Sequence, residues 1–128
     1  MEHKHLLFNG EIANPVLTEE FSNKFLKDLV ELIGMKILKG PFSVYLNEEG
    51  NRGLTGIVLI ETSHISFHIW DEKNPGQIKL DLYTCGKLDL DLVLKYLKKE
   101  FTIISGEYIL IDRSNGFTQE RSGKINKD

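Results

Sequence analysis

The chain has 128 residues, 16 basic and 19 acidic side chains and a formal charge of −3, with 41% apolar and 27% charged residues. That is the size and balance of one soluble globular domain, too short for two full cores and too apolar for a disordered chain. An acidic balance without a basic patch argues against nucleic acid or an anionic membrane as partner, and the single cysteine, Cys85, excludes an internal disulfide.

Met1-Glu2-His3-Lys4-His5 leads into no long apolar run, so neither a signal peptide nor a spanning helix is expected, and the cytoplasm is the expected location. His5 to Phe8 reads as a short first strand entering a turn at Asn9-Gly10. Thr18 caps a helix with Glu19 and Glu20 in its first turn, Phe21, Phe25, Leu29, Leu32 and Ile33 on one face, and Gly34 as its stop. Met35 to Leu38 reads as a short strand or link before Gly40-Pro41, and Phe42 to Leu46 as a strand ending in a polar loop at 47–52. Leu54 to Ile60 is a run of β-branched character, expected to be a strand buried on both faces or nearly so.

After Ser63 the pattern alternates: Ile65, Phe67 and Ile69 face the core while His64, Ser66 and His68 face away. Asn74-Pro75-Gly76 turns this strand into a partner at Ile78 to Cys85, with Leu80, Leu82 and Thr84 on one face and Asp81, Tyr83 and Cys85 on the other. Asp89 or Asp91 starts a second helix, with Lys98 and Lys99 in its last turn. Phe101 to Ile111 is a strand pair or one long strand, and 113–128 is expected to be a polar, mobile tail outside the domain at 1–112. The sum is an α+β two-layer sandwich, a mostly antiparallel sheet with two helices on one face. Its other face needs cover, which a homodimer through that face or its rim supplies.

Taken singly, the chemical residues stay ambiguous. Four strand rises of about 3.3 Å separate His64 and His68 by roughly 13 Å, too far for one metal ion, and no metal is expected. Ser63 lacks the glycine-flanked elbow of serine hydrolases. A lone strand-end cysteine is either packing or a nucleophile, and Gly53 and Gly56 lack the lysine and helix of a phosphate loop.

Their order is more specific: a strand, then Ser63-His64, His68, Trp70 and Glu72, a Pro-Gly turn, then Asp81-Leu82-Tyr83-Thr84-Cys85-Gly86. This resembles the self-cleaving, pyruvoyl-dependent S-adenosylmethionine decarboxylases of prokaryotes, over about Gly53 to Asp91 and more loosely from His5 to the last strand. The resemblance implies that Ser63 attacks the carbonyl of Thr62, that an N-to-O acyl shift and β-elimination follow, and that chains 1–62 and 63–128 result. Residue 63 then carries a pyruvoyl group, the implied cofactor, which forms a Schiff base with the substrate amine and draws electrons from the departing carboxylate as pyridoxal phosphate does. Thr55 takes the place of a small hydroxyl residue that helps processing, His68 that of the histidine handling the elimination proton, and Cys85 that of the acid returning a proton to the substrate carbon.

The implied activity supplies the aminopropyl donor of spermidine and polyamine synthesis. Two departures stand out: Thr62 replaces the usual Glu before the serine, and the segment that should carry an adenine-stacking Phe is longer and more polar here. Tyr45 or Phe42 is then the candidate for stacking and Glu72 for the ribose. The same scaffold acting on ornithine or arginine, or an uncleaved regulatory homologue, are the alternatives these departures leave open.

Overall fold

A computed structural model describes residues 1–126. Seven strands and two helices follow one another as β1 (Lys4–Ala13), α1 (Glu19–Leu32), β2 (Ile37–Leu46), β3 (Gly53–Ile60), β4 (Ser63–Trp70), β5 (Gly76–Thr84), α2 (Leu90–Glu100), β6 (Thr102–Asp112) and β7 (Thr118–Asn126). All seven strands form one sheet in the order β2-β3-β4-β5-β1-β6-β7, every pairing antiparallel. Both helices pack on one face, as the α+β reading expects. No helix among the described residues is long and apolar enough to cross a membrane.

The core lies between helices and sheet. Phe25 of α1 is fully buried and its ring meets Phe21, Phe67, Tyr96 and Phe101, so one aromatic side chain links α1 to β4, to α2 and to the C-cap of α2 just before β6. The caps are those anticipated: the Thr18 hydroxyl accepts from the Phe21 N–H, and Asp89 accepts from that of Leu92. Asp89 satisfies an N–H that the first turn of α2 leaves without a helical partner. Replacing Asp89 with alanine is expected to destabilise the fold by about 1 kcal/mol, read as a lower urea midpoint with an unchanged slope.

Four local readings are corrected. β1 runs straight through Asn9-Gly10, because Gly10 and Gly106 face each other across β1 and β6 to make room for the Phe8 ring; a Cβ on either would stand 3.0 or 2.9 Å from it. Residues 37–46 form one edge strand, broken in register around Gly40-Pro41, where a proline that cannot donate to a ladder is tolerated. β3 is not buried on both faces: Leu54, Val58 and Ile60 enter the core, while Ile57 and Leu59 are 38% and 42% exposed on the side away from the helices.

The fourth correction is the expected tail. Its segment 118–126 is β7, paired with β6 from Ser105–Asn126 to Asp112–Thr118. Polar strands are stable at a sheet edge when ion pairs and a few apolar anchors hold them. Here Lys4 pairs with Asp112 and Glu120, Arg121 pairs with Asp91, and Ile125 is buried. The remainder of that expectation, residues 127–128, lies outside the described residues.

The sheet face opposite the helices is open. Across it the register aligns Phe42 with Ile57 and Ser66, and next to them Val44, Thr55, His68 and Lys79 in a second row. Phe42 and Val44 are each 55% exposed there.

Candidate active site

The turn between β3 and β4 has only two residues, Glu61 and Thr62, since Ile60 and Ser63 are already paired. Thr62 has φ +52°, in the left-handed region. That second turn position favours Gly or Asn, and a β-branched side chain there stores about 1–3 kcal/mol of backbone strain. Strain therefore sits at the residue directly before Ser63.

Around this turn, hydroxyls, a carbonyl and the thiol converge. The Glu61 carbonyl accepts from the Thr62 hydroxyl at 2.8 Å, the Ser63 hydroxyl at 2.8 Å and the Cys85 thiol at 3.2 Å. Cys85 Sγ is also 2.6 Å from Thr62 Oγ1 and 3.6 Å from Ser63 Oγ. Hydrogen bonds from Thr62, and secondly from Ser63, hold the Cys85 thiol below the ordinary cysteine range because they favour the thiolate. Thr62→Val removes the larger of these contributions. It is expected to move the pH midpoint of Cys85 alkylation by iodoacetamide upward, and an unchanged midpoint would mean that the Thr62 hydroxyl does not tune the thiol.

Ser63, Thr62 and Cys85 are thus brought together, while Thr55 and His68 form a separate pair. They face each other across β3 and β4, with Thr55 Oγ1 2.9 Å from His68 Nδ1, on the open face. His68 lies five positions along β4 from Ser63, about 16 Å at strand rise, and on the opposite face of the sheet. The His68 ring tilts against Trp70 at 5.6 Å, beside a recess of about 380 Å³ lined by Leu46, Asn51, Thr55 and both rings. A larger open cavity of about 750 Å³ lies mid-face between His68, Ser66, Asp81, Leu7, Ile109 and Lys124, and reaches neither Ser63 nor Cys85.

The residues read as substrate contacts are dispersed. Phe42 stands on the open face of β2. Tyr45, three residues on, packs with the core on the helix side and its hydroxyl donates to Asp71 at 2.9 Å. The two rings therefore cannot build one stacking platform. Both carboxylate oxygens of Glu72 accept backbone N–H groups, from Arg52 and Gly50 at 3.0 Å each, and these bonds hold its carboxyl below the usual range. Arg52 Nε in turn donates to Asp71 at 3.1 Å, and Trp70 Nε1 to Asn51 at 3.0 Å. Glu72 thus fastens the 47–52 loop to the end of β4. The sequence reading missed this network because its members come from two loops joined only by strand pairing.

The site is a strained two-residue turn that holds a serine hydroxyl beside a thiol, in a domain of the two-layer α+β sandwich class. Comparison with known proteins identifies which one of this class it is: the S-adenosylmethionine decarboxylase family model matches residues 4–114, and the chain belongs to that family. Similar proteins include S-adenosylmethionine decarboxylase proenzymes of Pyrococcus abyssi (44% identical over 50 residues, 38% of this chain and 34% of that one) and Persephonella marina (34% over 80 residues, 59% and 56%). That of Archaeoglobus fulgidus is 39% identical over 62 residues, 48% of this chain and 54% of its own. These matches span from about a third to just over half of the relatives' length. β7 lies beyond the residues that the family model matches.

Proposed function

We propose that this protein is a self-cleaving, pyruvoyl-dependent S-adenosylmethionine decarboxylase that works as a homodimer in the cytoplasm. The observation that carries the reading is the placement of Ser63 between a strained Thr62 and the Cys85 thiol. Attack of Ser63 Oγ on the Thr62 carbonyl carbon closes a five-membered ring. As that C–O bond becomes an ester, the Thr62–Ser63 C–N bond breaks and the strain of the turn is released. Loss of the Ser63 α-proton then expels the Thr62 carboxylate, and water replaces nitrogen as ammonia at the new chain end, leaving a ketone.

The residues present suit such a group, because the hydroxyl that generates it and a thiol able to give a proton already lie together. Once formed, the ketone serves as the electron sink that no unmodified side chain provides. Cys85, with its thiol near substrate bound at residue 63, returns a proton to the carbon that loses CO₂. Thr55 and His68 handle the elimination proton. They are too distant from Ser63 within one chain, so they act on a partner's Ser63.

The open face supports the dimer. Phe42, Val44, Leu46, Ile57 and Leu59 leave an apolar stripe on one side, with Leu7 exposed further across the sheet. A two-fold axis through the middle of β4, near Ser66, sets each His68 over the Ser63 end of the facing strand.

The test measures CO₂ release from S-adenosylmethionine, ornithine and arginine side by side on protein whose cleavage is checked by intact mass. Release from S-adenosylmethionine by a cleaved chain is expected. Preference for either amino acid would reassign the substrate, and an uncut, inactive chain would overturn the proposal.

A further inference from the structure

Three side chains converge on the open face one residue beyond the cleavage position, and the site described above uses none of them. Asp81 Oδ1 lies 2.6 Å from His5 Nε2 and 3.3 Å from His64 Nε2. Arg113 Nη1 is 3.2 Å from His5 Nδ1, with its guanidinium over the rings of Tyr83 and Phe117 at 5.0 and 5.4 Å. A guanidinium only donates, so His5 Nδ1 is an acceptor and the ring proton sits on Nε2, facing Asp81. The carboxylate accepts from His64 in the same way. Neutral His64 is thereby fixed as the Nε2–H tautomer, with its lone pair on Nδ1.

The donor atoms of His5, His64 and Asp81 lie within 4.8 Å of one another, close enough to suggest a metal site. The Arg113 contact argues against one. A metal on His5 Nε2 requires the ring proton on Nδ1, where an arginine N–H already points. The arrangement suits a proton carrier instead: two imidazoles aligned by one carboxylate, with the His64 side chain 36% exposed and so open to water.

Strand register leads from this carrier to the thiol. His64 faces Tyr83 across β4 and β5, and Cys85 lies one residue beyond the end of β5, with its Sγ 3.6 Å from the hydroxyl of Ser63, the residue before His64. A residue two positions past a cross-strand partner is about 7–8 Å away at the backbone, so His64 and Cys85 are near neighbours. His3, whose Nδ1 is 2.7 Å from the Tyr83 hydroxyl, and Glu61, whose carbonyl touches the thiol, complete the titratable groups around them with His5, Asp81, Tyr83 and Arg113.

We propose that His64, held in one tautomer by Asp81 and His5, reloads Cys85 with a proton after each turnover. This rests on Cys85 being the proton donor of the proposed reaction. When the S–H bond breaks and its proton goes to the substrate carbon, a thiolate remains. His64, protonated at Nδ1 by water, passes that proton to Sγ and becomes neutral again, and the Asp81 carboxylate stabilises the intervening imidazolium. Asp81 and His5 are positioning residues.

The experiment uses the processed enzyme and three variants, His64→Ala, Asp81→Asn and Cys85→Ala, with the cleaved fraction measured by mass. His64→Ala is expected to lower kcat by about 100-fold with KM little changed, and added imidazole to restore much of the loss. A loss that imidazole does not restore, or a kcat equal to wild type, overturns the relay. Nitrogen NMR of the uncut Ser63→Ala protein provides a readout independent of turnover: an Nε2–H tautomer at His64 that changes in Asp81→Asn supports the proposal, and an Nδ1–H tautomer overturns it. Stoichiometric cobalt binding by wild type, lost in Asp81→Asn, would replace the carrier with a metal site. Undiminished turnover by Cys85→Ala would instead remove the reading on which the relay depends, whereas an inactive Cys85→Ala beside a fully active His64→Ala sinks the relay alone.

Discussion

A Ser63→Ala chain is expected to remain a single species near 14.7 kDa on prolonged incubation, while the unaltered chain separates into fragments 1–62 and 63–128. Its decarboxylation is expected to fall below detection, because alanine at position 63 has no hydroxyl for the acyl shift and no leaving group for the β-elimination. The substitution isolates chemistry from folding. Ser63 is 9% exposed and, among the described residues, its hydroxyl bonds only to the Glu61 carbonyl and Cys85, and that carbonyl keeps two other donors, Thr62 and Cys85. No buried acceptor is orphaned, so the stability change should stay within about 1 kcal/mol. Intact mass, a melting curve and CO₂ release on the same sample check this. A cleaved Ser63→Ala chain would move the scissile bond elsewhere, and an uncut wild type would remove the proposed prosthetic group altogether.

Thr62 sharpens that expectation. The resemblance implies Glu at this position, and a threonine there could have disturbed the turn. Yet the backbone at φ +52° is unfavourable for any side chain with a Cβ, and more so for a branched one, so Thr62 adds strain to the turn. Its hydroxyl also makes a 2.6 Å contact with the Cys85 thiol.

What was legible in the sequence was what sits within one strand or one turn. The alternation from Ile65 to Ile69, the caps Thr18 and Asp89, and the Pro-Gly hairpin each follow from periodicity or local hydrogen bonding, and the structure contains all of them. Readings failed where the deciding partner is remote in sequence. Asn9-Gly10 carries a turn signature, but the space needed by Phe8 against Gly106 overrides it. Segment 118–126 looks unable to pack because its partners, Lys4 and Asp91, belong to the first strand and the second helix. Ile57 and Leu59 look like core because nothing in their own run reveals that the helices cover only one face.

The candidate site divides the same way. Ser63 and its preceding turn are contiguous and could be named from order alone, and Cys85 could be added from the motif on β5. The bond network of His5, Asp81 and His64 could not, since three strands supply it. Phe42 and Tyr45 were paired as alternatives for one task, whereas strand parity sends them to opposite sides of the sheet.

Mixing two disabled chains is expected to restore what each has lost. His68→Ala alone should remain largely uncut, because the elimination proton has no acceptor. Ser63→Ala alone cannot be cut. In a mixed dimer the intact Ser63 of the first chain faces the intact His68 of the second, and roughly half of the protein should become heterodimer when equal amounts are unfolded and refolded together. Only the His68→Ala chain should then appear as fragments, which the mass difference between the chains identifies. The reason is geometric: His68 and Ser63 of one strand are separated by about 16 Å and point to opposite faces, a gap that no rotamer closes. A His68→Ala chain cleaved as fast as wild type on its own would remove His68 from processing. Failure of the mixture, with both chains folded and dimeric, would place the processing pair and the serine within one protomer and require the β3–β4 hairpin to rearrange before it cuts.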